Sequence, residues 1–163
     1  MNMPYFPSLQ KPHFNPFNFL FWFLLILAVL MLIITFPRMV RAEELVDMSI
    51  ISQIESNGNP NAVSPEGAIG TYQITYICLQ EYNIMTGAKY TSRDLFKPEI
   101  NKEIAFWYML VRIPQMLKHY HKPITLENCL ISYNAGISRV LSGKIPKETQ
   151  NYVLRYKKLA ERR

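Results

Sequence analysis

The position in this chain best placed to do chemistry is Glu55. It ends a run in which Leu45, Met48, Ile51 and Ile54 recur at three-to-four spacing, with Val46 and Ile50 beside them; that periodicity predicts an amphipathic helix. Asn57-Gly58-Asn59-Pro60 then supplies the glycine stop and the following proline that end one. A carboxylate in the last turn meets the partial negative charge of the helix C-terminus, and Ile51 and Ile54 are its apolar neighbours. Both influences raise its pKa. A carboxyl group kept neutral near pH 7 is a general acid. An ordinary surface glutamate tolerating a poor position is the plain alternative, and this segment alone leaves both open.

Two other groupings invite chemistry and have blander readings. His119 and His121 form a His-x-His, but the helix carrying them is expected to end near Pro123 and the remaining histidine is the distant His13, so no metal site is expected. Cys78 and Cys129 are the two cysteines, too few for a disulfide scaffold or a four-cysteine zinc site. They read either as a pair oxidised in an oxidising compartment or as small apolar core residues, and their Cα separation decides between the two.

The elements that must position Glu55 are helical. From Glu43 onward the chain is helical and loop-rich, with no convincing alternating strand, and the fold class expected is all-α. A chain of 163 residues holds at most one ordinary domain. Residues 1–18 carry Pro4, Pro7, Pro12 and Pro16 among aromatics and read as an irregular tail. Residues 19–36, FLFWFLLILAVLMLIITF, contain no charge; as a helix they would be roughly 27 Å long, close to the ~30 Å hydrocarbon thickness of a bilayer.

That run reads as a membrane anchor or a signal core. Val40-Arg41-Ala42 ahead of Glu43 suits a signal-peptidase site, yet the apolar core exceeds the roughly 7–15 residues of a signal peptide, which favours an uncleaved anchor. Arg38 and Arg41 outnumber Lys11 across the run, so a count of flanking cations weakly places the C-terminal part in the cytoplasm.

The net charge of +6 is also unevenly placed. Its sources are the residues flanking the apolar run and the C-terminal cluster Arg155, Lys157, Lys158, Arg162 and Arg163, with residues 157–163 read as a basic tail. The body between them is nearly neutral, which sets nucleic-acid binding aside.

Four blocks in order carry a family resemblance. Residues 55–74, from Glu55-Ser56-Asn57-Gly58-Asn59-Pro60 through Gly70-Thr71-Tyr72-Gln73-Ile74, resemble the first motif of the soluble lytic transglycosylases, a family with a lysozyme-like fold. Leu95-Phe96-Lys97-Pro98-Glu99-Ile100-Asn101 resembles the opening of that family's long central helix. Ser132-Tyr133-Asn134-Ala135-Gly136 is similar to its Ala-Tyr-Asn-Ala-Gly signature, and residues 145–153, Ile-Pro-Lys-Glu-Thr-Gln-Asn-Tyr-Val, to its closing element. Thr71-Tyr72 departs from the usual Leu-Met, which bears on the shape of the groove more than on the reaction. The resemblance spans roughly Leu45 to Tyr156, within an expected domain of residues 43–156.

What the resemblance implies is an α-helical, lysozyme-like domain behind one N-terminal membrane or signal helix. It implies Glu55 as the catalytic acid, with Ser64, Gln73, Tyr133, Asn134 and Tyr152 lining or supporting the cleft. Each supporting residue also has a structural reading. Tyr133 and Tyr152 read as core aromatics or as hydroxyls that reach Glu55 and hold its protonated form; Gln73, Asn134 and Ser64 read as loop or cap residues or as sugar contacts. Phe106, Trp107, Tyr108 and Leu110 on the central helix read as core and not as a sugar-stacking platform, and Glu148 as a first-turn acid.

The reaction implied is cleavage of the MurNAc-GlcNAc bond of peptidoglycan with closure of a 1,6-anhydro ring, needing one carboxylate and no cofactor. The implied setting is the bacterial envelope. The domain would be periplasmic, anchored by residues 19–36 or released, and would open the wall locally for a secretion, conjugation, pilus or phage apparatus. A substrate outside the inner membrane overrules the cation count. Two rivals are a goose-type lysozyme-like hydrolase using water and a non-catalytic glycan-binding scaffold.

Overall fold

The computed structural model describes Phe21, residues 23–27 and residues 46–162. The chain divides into two units, Met1–Met39 and Val40–Arg163. In the first, Phe21 and residues 23–27 are helical. The remainder of the expected 19–36 span, the tail 1–18 and the Val40-Arg41-Ala42 sequence lie outside the described residues. Among the described residues no helix is long and apolar enough to cross a membrane.

The second unit is all-α, as its periodicities predict. Helix α1 spans Met48–Ser56, α2 Tyr76–Thr86, α3 Pro98–Trp107, α4 Ile113–His119, α5 Leu126–Ala135, α6 Ile137–Ser142 and α7 Lys147–Ala160, with a short 3-10 turn at Ser92–Phe96. Among its described residues the β pairing consists of isolated bridges from Ile69 to Val63 and to Ile74. Side-chain caps explain several starts: Asp47, Thr75 and Thr125 each accept a backbone N–H from the first turn of α1, α2 and α5.

The central helix begins at Pro98, a residue suited to a first turn because it has no N–H to leave unpaired. Between α3 and α4 the backbone stays helical but widens to a π-turn at Tyr108–Arg112, in which the Ile113 N–H reaches back to Tyr108 O. The apolar pattern gives the reason. Ala105, Met109, Ile113 and Leu117 are all fully buried, and a stripe with a repeat of four drifts about 40° per step in a helix of 3.6 residues per turn. A wider turn takes up that drift and keeps the stripe on the core.

Around that stripe pack Ile50, Ile51 and Ile54 of α1, Leu79 and Tyr82 of α2, Cys129 and Leu130 of α5, and Tyr152, Val153 and Tyr156 of α7. Cys78 and Cys129 are free, buried thiols, so the core reading of the pair holds and the disulfide reading does not. Burial pushes the thiols up, to about 12 and about 11 respectively. Lys157 does not open a tail, since α7 continues through Ala160; Tyr156 is buried against the core and holds the preceding turn in place.

Candidate active site

Glu55 is where the sequence places it, in the last turn of α1. The helix stops because Asn57 takes a left-handed conformation (φ 55°), followed by Gly58 at φ 77°. Their N–H groups turn back onto Gln53 O and Ser52 O, both at 3.2 Å, which satisfies carbonyls the helix would otherwise leave open. One residue after the glutamate, Ser56 Oγ donates to Thr71 O at 2.9 Å and ties the helix end to the following loop.

The Glu55 carboxyl is half-buried, and Tyr152 Oη donates to its Oε1 at 2.8 Å. Burial pushes Glu55 up to about 7; the Tyr152 hydrogen bond and the nearby Arg155 guanidinium pull the other way. The sequence reading therefore needs one correction. A phenol that donates to a carboxylate favours the ionised form, so Tyr152 does not hold the protonated acid. It positions the side chain and offsets part of the desolvation.

The loop from Asn57 to Thr75 forms one wall. Ser64 closes its tip: Ser64 N donates to Ala68 O at 2.9 Å, and Ala68 N donates to Ser64 Oγ at 3.1 Å. Ser64 thus makes the loop contacts of its structural reading and lines neither of the two cavities described below. Gln73 occupies a left-handed conformation (φ 51°), sparsely populated for any residue with a Cβ. Its Nε2 donates to Gly70 O at 2.9 Å and to Ala62 O at 3.4 Å, which leaves the amide oxygen as its remaining acceptor.

Asn101, in the first turn of α3, clamps this loop from beneath. Fully buried, it accepts from Tyr72 N at 2.9 Å and donates to Ile69 O at 2.8 Å and Leu95 O at 3.0 Å. Gly70 has to be glycine for two reasons. Its φ is 82°, and a Cβ there would stand 2.3 Å from Asn101 Nδ2 and 2.7 Å from Leu95 O.

The Ser132–Gly136 segment ends α5. Tyr133 Oη donates to Tyr72 O at 2.9 Å, so the second expected phenol bonds the loop backbone and not Glu55. Its ring lies 5.9 Å from that of Tyr108. Gly136 then turns the chain at φ 83°, which leaves Asn134 exposed at the helix end. Asn134 borders two cavities. One, about 230 Å³, is also lined by Gln73, Thr75, Tyr108, Ser132 and Tyr133. The other, about 370 Å³, is lined by Lys147, Glu148, Asn151, Tyr152 and Arg155.

Of the residues expected from the sequence, then, Gln73, Tyr133 and Asn134 line the first cavity, Asn134 and Tyr152 the second, and Tyr152 bonds Glu55. The Thr71-Tyr72 departure is absorbed away from these cavities: Tyr72 is buried with its ring edge-on to Phe106. Phe106, Trp107 and Leu110 pack against the core, while Tyr108, carried by the π-turn, also faces the first cavity. Sequence reasoning missed Asn101, Gly70, Tyr108, Ser132 and Arg155. For Asn101 a signal existed, since the residue stood inside a matched block. Among the described residues no cluster of His, Cys, Asp and Glu is arranged to hold a metal.

A comparison with protein families matches residues 41–152 to the "Transglycosylase SLT domain". The chain belongs to this family. Among solved structures it is similar to the 70 kDa soluble lytic transglycosylase of Escherichia coli, with 26% identity and a TM-score of 0.54, covering 66% of this chain and 19% of that one. The chain thus spans about a fifth of the larger protein's length. No curated protein matches. SLT membership accounts for the all-α unit, its four ordered blocks and the loop wrapped beside Glu55.

Proposed function

We propose that this SLT-domain protein cleaves peptidoglycan glycan strands between MurNAc and GlcNAc by lytic transglycosylation, with Glu55 as the single acid and base. The observation that carries the reading is Glu55 itself. It is half-buried at a helix end, raised to about 7, and held by Tyr152, which lines the 370 Å³ cavity together with Asn134 and Asn151.

In the first step the Glu55 carboxyl gives its proton to the glycosidic oxygen. The C1–O bond breaks, the departing sugar keeps the oxygen as a hydroxyl, and the substrate's own N-acetyl oxygen bonds C1 in place of a protein nucleophile. In the second step the Glu55 carboxylate takes the proton from the muramoyl O6 hydroxyl. O6 then bonds C1, the acetyl oxygen leaves, and the 1,6-anhydro ring closes with Glu55 protonated again. A pKa near 7 suits a group that must serve in both forms. Gln73 and Asn134, with donors and acceptors on one side chain, suit N-acetyl groups, and Tyr133 braces the loop that carries Gln73.

The supporting carboxylates do not demand a second catalytic acid. Glu81 on the first cavity is paired with Arg112 at 2.6 Å, and Glu148 stands in the first turn of α7, where the helix dipole favours it. A peptidoglycan substrate supports a setting outside a bacterial inner membrane, with the domain tethered or exported through residues 19–36 and opening the wall locally for an envelope-spanning apparatus. The test is digestion of purified peptidoglycan by the full chain and by Glu55→Gln. The expected result is 1,6-anhydro ends from the first and a loss of at least about a hundredfold in the second. Reducing ends would establish the water-using hydrolase instead. Glycan binding with no cleavage by either protein would establish the scaffold reading.

A further inference from the structure

Helix α2 carries more apolar surface than its packing uses. Cys78, Leu79 and Tyr82 are its buried residues. On the outward side Tyr76, Ile77, Ile84 and Met85 are each more than half exposed, and Ile84 reaches 81%. With Gln80 and Glu81 between them they form two adjacent rows at a spacing of four, Tyr76-Gln80-Ile84 and Ile77-Glu81-Met85. A helix that is apolar on both sides is normally covered on both. The four side chains together offer roughly 400–500 Å² of apolar surface, the size at which a patch marks contact with a partner or a membrane.

The charges around this face favour an anionic partner. Glu81, the only acid of α2, accepts from Arg112 at 2.6 Å and is neutralised there. A hollow of about 460 Å³ joins the first row to Tyr90, Thr91 and Ser92 of the following loop, and Lys89 and Arg93 flank that stretch. Both cations are exposed and make no ion pair among the described residues. Ile and Met suit acyl chains, a phenol such as that of Tyr76 suits the membrane–water interface, and the cations suit lipid phosphates.

Two further observations favour a bilayer over a second copy of the chain. Pairing two such faces would bury roughly 800–1,000 Å², at or below the lower limit of a specific interface. The uncharged run 19–36 is followed by only residues 37–47 before α1 begins at Met48. Those residues extend to at most roughly 40 Å, about the width of a domain of this length. A domain so tethered meets the lipid surface at high effective concentration, and a modest apolar face then suffices to dock it.

We propose that the outward face of α2 docks on the headgroup–acyl boundary of the anionic membrane that holds residues 19–36. The proposal rests on the tether in the proposed function and not on the reaction at Glu55. Because Ile77 also lines the 230 Å³ cavity, docking sets that cavity close to the bilayer surface.

The test uses the full chain in vesicles of phosphatidylethanolamine and phosphatidylglycerol with brominated acyl chains. An environment-sensitive thiol probe is placed on Ile84→Cys or Met85→Cys, and for reference on Lys144→Cys, an exposed position between α6 and α7. Cys78 and Cys129 are buried, with thiols pushed up to about 12 and about 11, and stay unlabelled. The expected result is a blue shift at positions 84 and 85 and bromine quenching at least about threefold stronger than at 144. A chain that floats with the vesicles but shows no excess quenching at 84 or 85 would overturn the docking and leave the tether standing. A chain that does not float would overturn both. A blue shift without bromine quenching, in a chain that sediments as a dimer, would assign the face to a second copy and overturn the lipid contact. Release of 1,6-anhydro ends by the same proteins tests the reaction separately.

Discussion

Glu55 and Tyr152 form a contact between residues 97 positions apart, and its electrostatics make two predictions. Because the phenol donates to the carboxylate, Tyr152→Phe removes a group that favours the ionised form. The Glu55 pKa then rises above about 7, and the alkaline limb of kcat/KM moves up, by about half to one pH unit. A profile that moves down, or does not move, contradicts the assigned direction. The second prediction concerns stability. Glu55 is raised from an ordinary 4.5 to about 7, so the folded protein holds the proton more tightly than the unfolded chain. Its effect on stability is therefore absent below about pH 4 and grows unfavourable as pH climbs to 7, with the full cost above that. Glu55→Gln is expected to raise stability by up to about 3 kcal/mol at pH 8 and to change it little at pH 4. Urea denaturation at the two pH values checks this.

At the scale of elements, the loop between α1 and α2 is held by a buried amide on α3. Asn101→Ala would leave the Tyr72 N–H, Ile69 O and Leu95 O contacts unmade in the interior. The expected cost is about 2–4 kcal/mol with loss of activity as the loop loosens, measured by thermal denaturation alongside wall digestion. Ser132→Ala runs the other way. The Ser132 hydroxyl is fully buried with no hydrogen-bond partner among the described residues, so its removal is expected to stabilise α5 by about 1 kcal/mol. What was legible in the sequence follows from these ranges of interaction. The α1 period, its Gly-Pro stop and the position of Glu55 are local, and they are readable in residues 45–60. The Asn101 clamp reaches 29 residues back to Tyr72, and the Tyr133 hydroxyl bonds a carbonyl 61 residues away. No pattern within either segment shows which of the two tyrosines, Tyr133 or Tyr152, meets the glutamate. Nor does residue type reveal the π-turn that aims Tyr108 into the cavity, because it answers to the packing of a stripe repeating every four residues.

For the whole molecule, charge and chemistry separate along the chain. The cations that make the chain +6 lie near residues 11–41 and along the end of α7, and of these Arg155 reaches the cavity wall beside Tyr152, where Asn134 and Asn151 stand with Lys147 and Glu148. The body between these ends is nearly neutral, which suits a catalyst gripping sugars. It also separates this reading from a polyanion-binding one, in which the cations would cover the folded body. In the proposed reaction one carboxylate closes a ring using the substrate's own O6, with water taking no part. Digestion of purified peptidoglycan in water enriched in oxygen-18, followed by mass analysis of the released muropeptides, tests it most directly. The expected products are 1,6-anhydro muropeptides carrying no heavy oxygen. Reducing-end products heavier by one oxygen-18 would show that water is the nucleophile and would contradict it.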